Sequence, residues 1–133
     1  MNLLQVIHER WAAASALEAL LPANRFYTGA SFDAELPLAV VIKKSQKPSK
    51  YQSDGSVIDI VVLEFHVRHT QYDAAVEIIY QIKKAFDNTT FNLSGSDQMQ
   101  SMKRVNDYEQ LRDDGTWEMI LNFTCTVYLA SGA

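Results

Sequence analysis

The chain has 133 residues, of which 47% are hydrophobic and 21% charged, with a formal net charge of −4 and one cysteine. That length fits a single domain, 1–133, able to bury roughly two-thirds of its unfolded surface. The mild acidity lacks the basic footprint of a dedicated nucleic-acid binder, and the lone Cys125 excludes an intrachain disulfide and a cysteine-rich zinc motif.

The opening MNLLQVIHERWAAASALEALLP carries His8, Glu9 and Arg10 inside its apolar pattern and no basic leader, which predicts neither a signal peptide nor a membrane span. Leu4, Ile7, Trp11, Ala14, Leu17 and Leu21 fall at three-and-four spacing, predicting one amphipathic helix from Asn2, its cap, to Leu21, where Pro22 stops it. Arg25 to Gly29 (RFYTG) reads as a short strand, and Leu36 to Lys43 (LPLAVVIK) as a second.

A polar stretch, KKSQKPSKYQSDG, then reads as a hairpin loop over about 43–56 that protrudes from the sheet. The long strand Val57 to His69 follows, with Val61, Leu63, Phe65 and Val67 on one face. Its other face runs Ile58, Ile60 and Val62 before turning polar at Glu64, His66 and Arg68. Thr70 with Asp73 predicts the cap of a helix reaching Phe86, with the stripe Tyr72, Ala75, Val76, Ile79, Ile82 and Phe86 and with Lys83 and Lys84 at its C-terminus.

Asp87 to Gln98 reads as a turn-rich connection, and Met102 to Leu111 as a polar strand. Asp113, Asp114 and Gly115 turn that strand into Trp117 to Leu129, where Trp117, Met119, Leu121, Phe123, Cys125, Val127 and Leu129 share a face. The expected fold is α+β: a single, mainly antiparallel sheet with two helices on one face, in the order α-β-β-β-α-β-β. No internal repeat is apparent.

Two groups of polar residues stand out. Lys43, Lys44, Lys47 and Lys50, followed by Tyr51, could grip phosphates and stack a base, or could simply keep a hairpin tip soluble and discourage stray edge pairing. Glu64, His66 and Arg68 share a strand face, giving either a solvated row or a polar subunit contact. His66 and His69 point to opposite faces with no third ligand nearby in sequence, so no metal site is expected. No nucleophile elbow, phosphate loop or dinucleotide-binding glycine run occurs, so neither enzyme activity nor a cofactor is expected.

Taken in order, the N-terminal helix, RFYTG, LPLAVVI, the polar YQSDG loop, VIDIVVLEFHV, the helix AAVEIIYQIKKAF and the hairpin ending in WEMILNFTCTVYL resemble the small tail-terminator, or tail-completion, proteins of long-tailed phages and prophages. The likeness covers nearly the whole chain and rests on segment order, loop lengths and Leu36-Pro37. It implies a sheet with helices packed on one side, no enzyme activity, and assembly as a ring, commonly of six, that halts tail growth. The partners it implies are further copies of the chain, the tail-tube protein and the head-side connector, in the virion tail after assembly in the host cytoplasm, with no membrane. The alternatives are a small nucleic-acid-binding module using the lysine loop, or a different connector or tube protein.

Overall fold

The computed structural model describes residues 2–29 and 35–130. Helix α1 (Leu3–Ala13) starts from a reciprocal cap: the Asn2 side chain accepts the Gln5 N–H at 2.9 Å, and the Gln5 side chain accepts the Asn2 N–H at 2.9 Å. The single helix expected to run to Leu21 breaks at Ala14, which is extended, and resumes as α2 (Ser15–Leu20). The break brings Trp11, Leu17 and Leu21 into one core, where the Trp11 indole donates to the Leu21 carbonyl at 2.8 Å.

A 3-10 turn (Ala23–Arg25) leads to β1 (Phe26–Thr28), then β2 (Leu38–Tyr51), β3 (Val57–His69), α3 (Tyr72–Phe86), β4 (Thr89–Asn92), β5 (Gln98–Leu111) and β6 (Trp117–Leu129). The six strands form one sheet in the order β1-β2-β3-β6-β5-β4, antiparallel throughout except for the parallel pair β1–β2. The class is α+β as expected, with one more strand, one more α-helix and one parallel pairing than the sequence suggests.

Two segments read as connections are strands. The lysine stretch continues β2 to Tyr51, because β3 offers a ladder that runs as far as Val57; the loop proper shrinks to the turn between Tyr51 and Val57. Its polarity reflects a strand with nothing packed on it among the described residues, and every residue from Lys43 to Tyr51 is exposed. The connection after α3 contains β4, reached through Asn88 at φ 60, and β5 begins at Gln98 rather than Met102.

Helix α3 also differs in detail. Gln71 stands at its N-cap and makes no side-chain capping bond, in place of the Thr70 and Asp73 cap. It buries Ala75, Ile78, Ile79, Ile82, Ala85 and Phe86 and leaves Tyr72 and Val76 exposed, a stripe rotated from the expected one toward the sheet. The core lies between the helices and one sheet face. Phe65 sits at its centre, its ring centroid 5.9 Å from Phe26, 5.2 Å from Phe86 and 5.5 Å from Phe123.

The architecture repeats although the sequence does not announce it. Helix, short strand, long hairpin occurs twice, and the hairpins match at an offset of 60 residues: Leu38–Tyr51 with Gln98–Leu111, Val57–His69 with Trp117–Leu129. Both tips are five-residue turns closed the same way, Gln52 N–H to Ser56 O at 3.0 Å and Arg112 N–H to Thr116 O at 2.8 Å. An approximate two-fold axis relates the two hairpins and crosses the sheet at Leu63 and Phe123, the pair in the β3–β6 ladder that the offset maps onto itself, while the short strands break it, β1 running parallel to β2 and β4 antiparallel to β5. Few residues are shared across the halves because a hairpin needs only alternation and a turn, and many sequences supply those.

Candidate assembly surface

The sheet has one face under the helices and one open face. On the open face β3 presents Ile58, Ile60, Val62, Glu64, His66 and Arg68, and β6 presents Glu118, Asn122, Thr124 and Thr126. Glu64, His66 and Arg68 share this face, and their contacts extend across the strand boundary. His66 Nε2 lies 2.9 Å from Glu64 Oε1 and its Nδ1 3.5 Å from Glu118 Oε2; Arg112 holds the other Glu118 oxygen at 3.2 Å. Arg68 reaches Asp114 at 3.6 Å, while its buried Nε has no hydrogen-bond partner among the described residues.

The lysines do not form one patch. Lys43 lies on the helix side and donates to Gln46 at 2.9 Å; Gln46 in turn donates to the buried Asp59 at 2.8 Å. Lys47 and Lys50 stand opposite Ile60 and Ile58, on the open face, and Lys44 turns toward Glu64 on that same side at 4.0 Å. Tyr51, at the end of the strand, is 74% exposed.

What the sequence did not reveal is where pairing stops. Strand β1 covers β2 only at Ala39–Val41, and β4 covers β5 only between Gln98 and Met102. From Lys43 to Tyr51 and from Lys103 to Leu111 the outer backbone edges carry no strand among the described residues. Unpaired edges of this length are templates for another chain unless blunted by charge or proline, and β2 has both.

Large exposed hydrophobic residues gather beside these edges. Tyr72, Val76 and Tyr80 form one stripe on α3, and Val105, Tyr108 and Leu111 lie on free β5. Between them is a shallow cleft of about 240 Å³ lined by Tyr72, Val76, Tyr80 and Tyr108. The Tyr72 hydroxyl donates to Glu109 at 2.8 Å, and that bond holds its pKa above the usual phenol value. A wider groove of about 700 Å³ on the helix side runs from Lys43 and Gln46 past Val61 and Val127 to the start of α1.

Other titratable groups are accounted for structurally. Burial pushes the Cys125 thiol up to about 12, which makes it an inert core residue. Burial lowers the pKa of His69, whose Nδ1 accepts the Gln71 N–H at 3.0 Å. Among the described residues no cluster of three or more metal-ligating side chains occurs, and no helix is long and apolar enough to cross a membrane.

No family model matches the chain, and no curated protein matches it. Among solved structures, the fold is similar to that of a chain in the virion of a native gene transfer agent particle, at a TM-score of 0.73 and 11% identity. The likeness spans 92% of this chain and 91% of that one, nearly the whole of both.

Proposed function

We propose that this chain is a non-enzymatic structural protein of a tailed phage, prophage or phage-derived particle. As a ring, six copies by the family's habit, it caps the tail tube, ends tail growth and presents the surface that joins the head-side connector. The observation that carries the reading is the near-complete match, in both chains, to a component of a gene transfer agent virion. Two long strand edges with no outer strand among the described residues and an exposed tyrosine stripe add surfaces suited to partners rather than to a substrate.

Disrupting the gene in its source and imaging the particles tests this. Overlong tails without heads are the expected product. Particles of normal tail length, with heads attached, would overturn the proposal. The nucleic-acid reading retains one favourable observation, the placement of Lys44, Lys47 and Lys50 on one face beside exposed Tyr51. Its signature would be DNA binding at low salt that collapses steeply as salt rises.

A further inference from the structure

We infer that copies of this chain join edge to edge in a head-to-tail manner, each sheet continuing into the next because the two edges are complementary steps. The inference rests on the ring reading above and adds which strands meet. On the left edge the short β1 projects beside the first half of β2 and leaves Lys43–Tyr51 without an outer strand among the described residues; on the right edge β4 projects beside the first half of β5 and leaves Lys103–Leu111 likewise.

The ladder registers show that the steps lie at matching heights. Through Met102, Cys125 and Val61, Thr89 of β4 is level with Gln46; through Gln98, Tyr128 and Ile58, Asn92 is level with Lys50. The projecting β4 thus spans the height at which β2 is free. Likewise Thr28 is level with Asp107 through Val41, Phe65 and Leu121, and Phe26 is level with Glu109 through Ala39, Val67 and Met119. The projecting β1 spans the height at which β5 is free. A second copy set beside the first without sliding along the strands therefore puts β4 against free β2 and β1 against free β5. A joint without axial slide is the kind that can close into a ring, whereas a slide at each step gives an open helix.

Charge selects this joint over a symmetric one. The left-edge segments, Arg25–Thr28 and Lys43–Tyr51, carry five cations and no acid. The right-edge segment, Asp87–Leu111, carries Asp87, Asp97, Asp107 and Glu109 against Lys103 and Arg104, with Asp107 already paired to Lys83 at 3.2 Å and Asp87 to Arg104 at 3.3 Å. Left against left would face four lysines with four lysines, and like charges directly opposite destabilise a sheet pair. Left against right brings the lysines near Asp87 and Asp97, which flank β4. The same joint also covers apolar surface: Tyr72, Val76, Tyr80, Val105, Tyr108 and Leu111 all line the right edge, and Tyr51 ends the free strand of the left.

Engineered cysteines read the joint directly, since the native Cys125 is fully buried and stays out of exchange. In two separate double variants of the full chain, Lys47→Cys with Thr90→Cys and Thr28→Cys with Asp107→Cys, oxidation at about 1 mM protein should convert monomer into a ladder of covalent multimers, because neighbouring strands hold Cα atoms at disulfide distance. The pair Lys47→Cys with Asp107→Cys, which would meet only if the free edges slid past each other, should stay monomeric. Reversing Lys44, Lys47 and Lys50 to Glu in the 28/107 variant should abolish its ladder. A ladder confined to the 47/107 pair, or no ladder from either matched pair, overturns the inference. Ladders from both matched pairs, together with normal tails after gene disruption, would leave the joint standing and remove the proposed function.

Discussion

The hairpins β2–β3 and β5–β6 have the same strand lengths and the same tip, yet they carry different cargo. The first buries Leu38, Ala39, Val40 and Val41 at its base and bears Lys43, Lys44, Lys47 and Lys50 along its free edge. The second buries Met99 and Met102 at its base and bears Lys103, Arg104, Asp107 and Glu109 on its free edge, with Asp113 and Asp114 at its tip. The backbone scheme is thus indifferent to which side chains fill it, provided one face of each strand stays apolar. Charge is free to diverge on the exposed halves, and that divergence makes one end of the molecule complementary to the other.

The largest expected contrast lies at one position of the two halves. Phe65 and Cys125 are equivalent under the 60-residue offset and both are 0% exposed. Phe65 packs against three aromatic rings, so Phe65→Ala should cost about 3–5 kcal/mol of stability in urea unfolding. Cys125→Ala removes a single buried sulfur and should cost about 1 kcal/mol. Similar losses at the two sites would mean that the core is not centred on the first half.

A smaller effect should be the same in both halves. Gly55 and Gly115 hold φ of 91° and 83° at the two tips, and a Cβ at either would meet nothing within 4 Å. Replacing either with Ala should therefore cost about 1 kcal/mol through backbone conformation alone. Unequal costs would show that the tips share a sequence pattern without sharing a role.

Much of this was legible. Alternation at Val61, Leu63, Phe65 and Val67 and at Met119, Leu121, Phe123 and Cys125 identified the two central strands and their buried face, because those strands pack on one side and face the open surface on the other. The outer half of β2 and the first residues of β5, Gln98 to Ser101, were harder to place. A strand with both faces exposed has no apolar period, so Lys43 to Tyr51 reads like a loop until the β3 ladder is known. The Glu64, His66 and Arg68 row was found from period two alone, whereas its partner Glu118 depends on the β3–β6 register, which no local pattern encodes. The repeat escaped notice for a related reason. Its clearest trace is SDGS against DDGT, too short to stand out, and the edges that it generates depend on where β1 and β4 stop.

The finest contrast between the hairpins is electrostatic. Asp54 accepts the Ser56 hydroxyl at 2.5 Å and the Ser56 N–H at 2.9 Å, and these bonds hold its pKa below 3.8. Asp114 accepts the Thr116 hydroxyl at 2.6 Å and N–H at 3.0 Å, with Arg68 and Arg112 adding to the same lowering. A carboxylate depressed in the folded state contributes stability that is fully present above its unfolded pKa, near 3.8, and is lost as pH falls through the lower folded value. Asp54→Ala and Asp114→Ala should therefore both be less stable than the parent at neutral pH, and both gaps should close as pH drops below 3.8. Salt separates them. The Asp54 gap rests on hydrogen bonds within one turn and should hold as ionic strength rises, while the Asp114 gap should narrow as its guanidinium partners are screened. Equal salt responses would mean that the Arg68 contact, at 3.6 Å, adds nothing to the second tip and that the two turns are energetically the same.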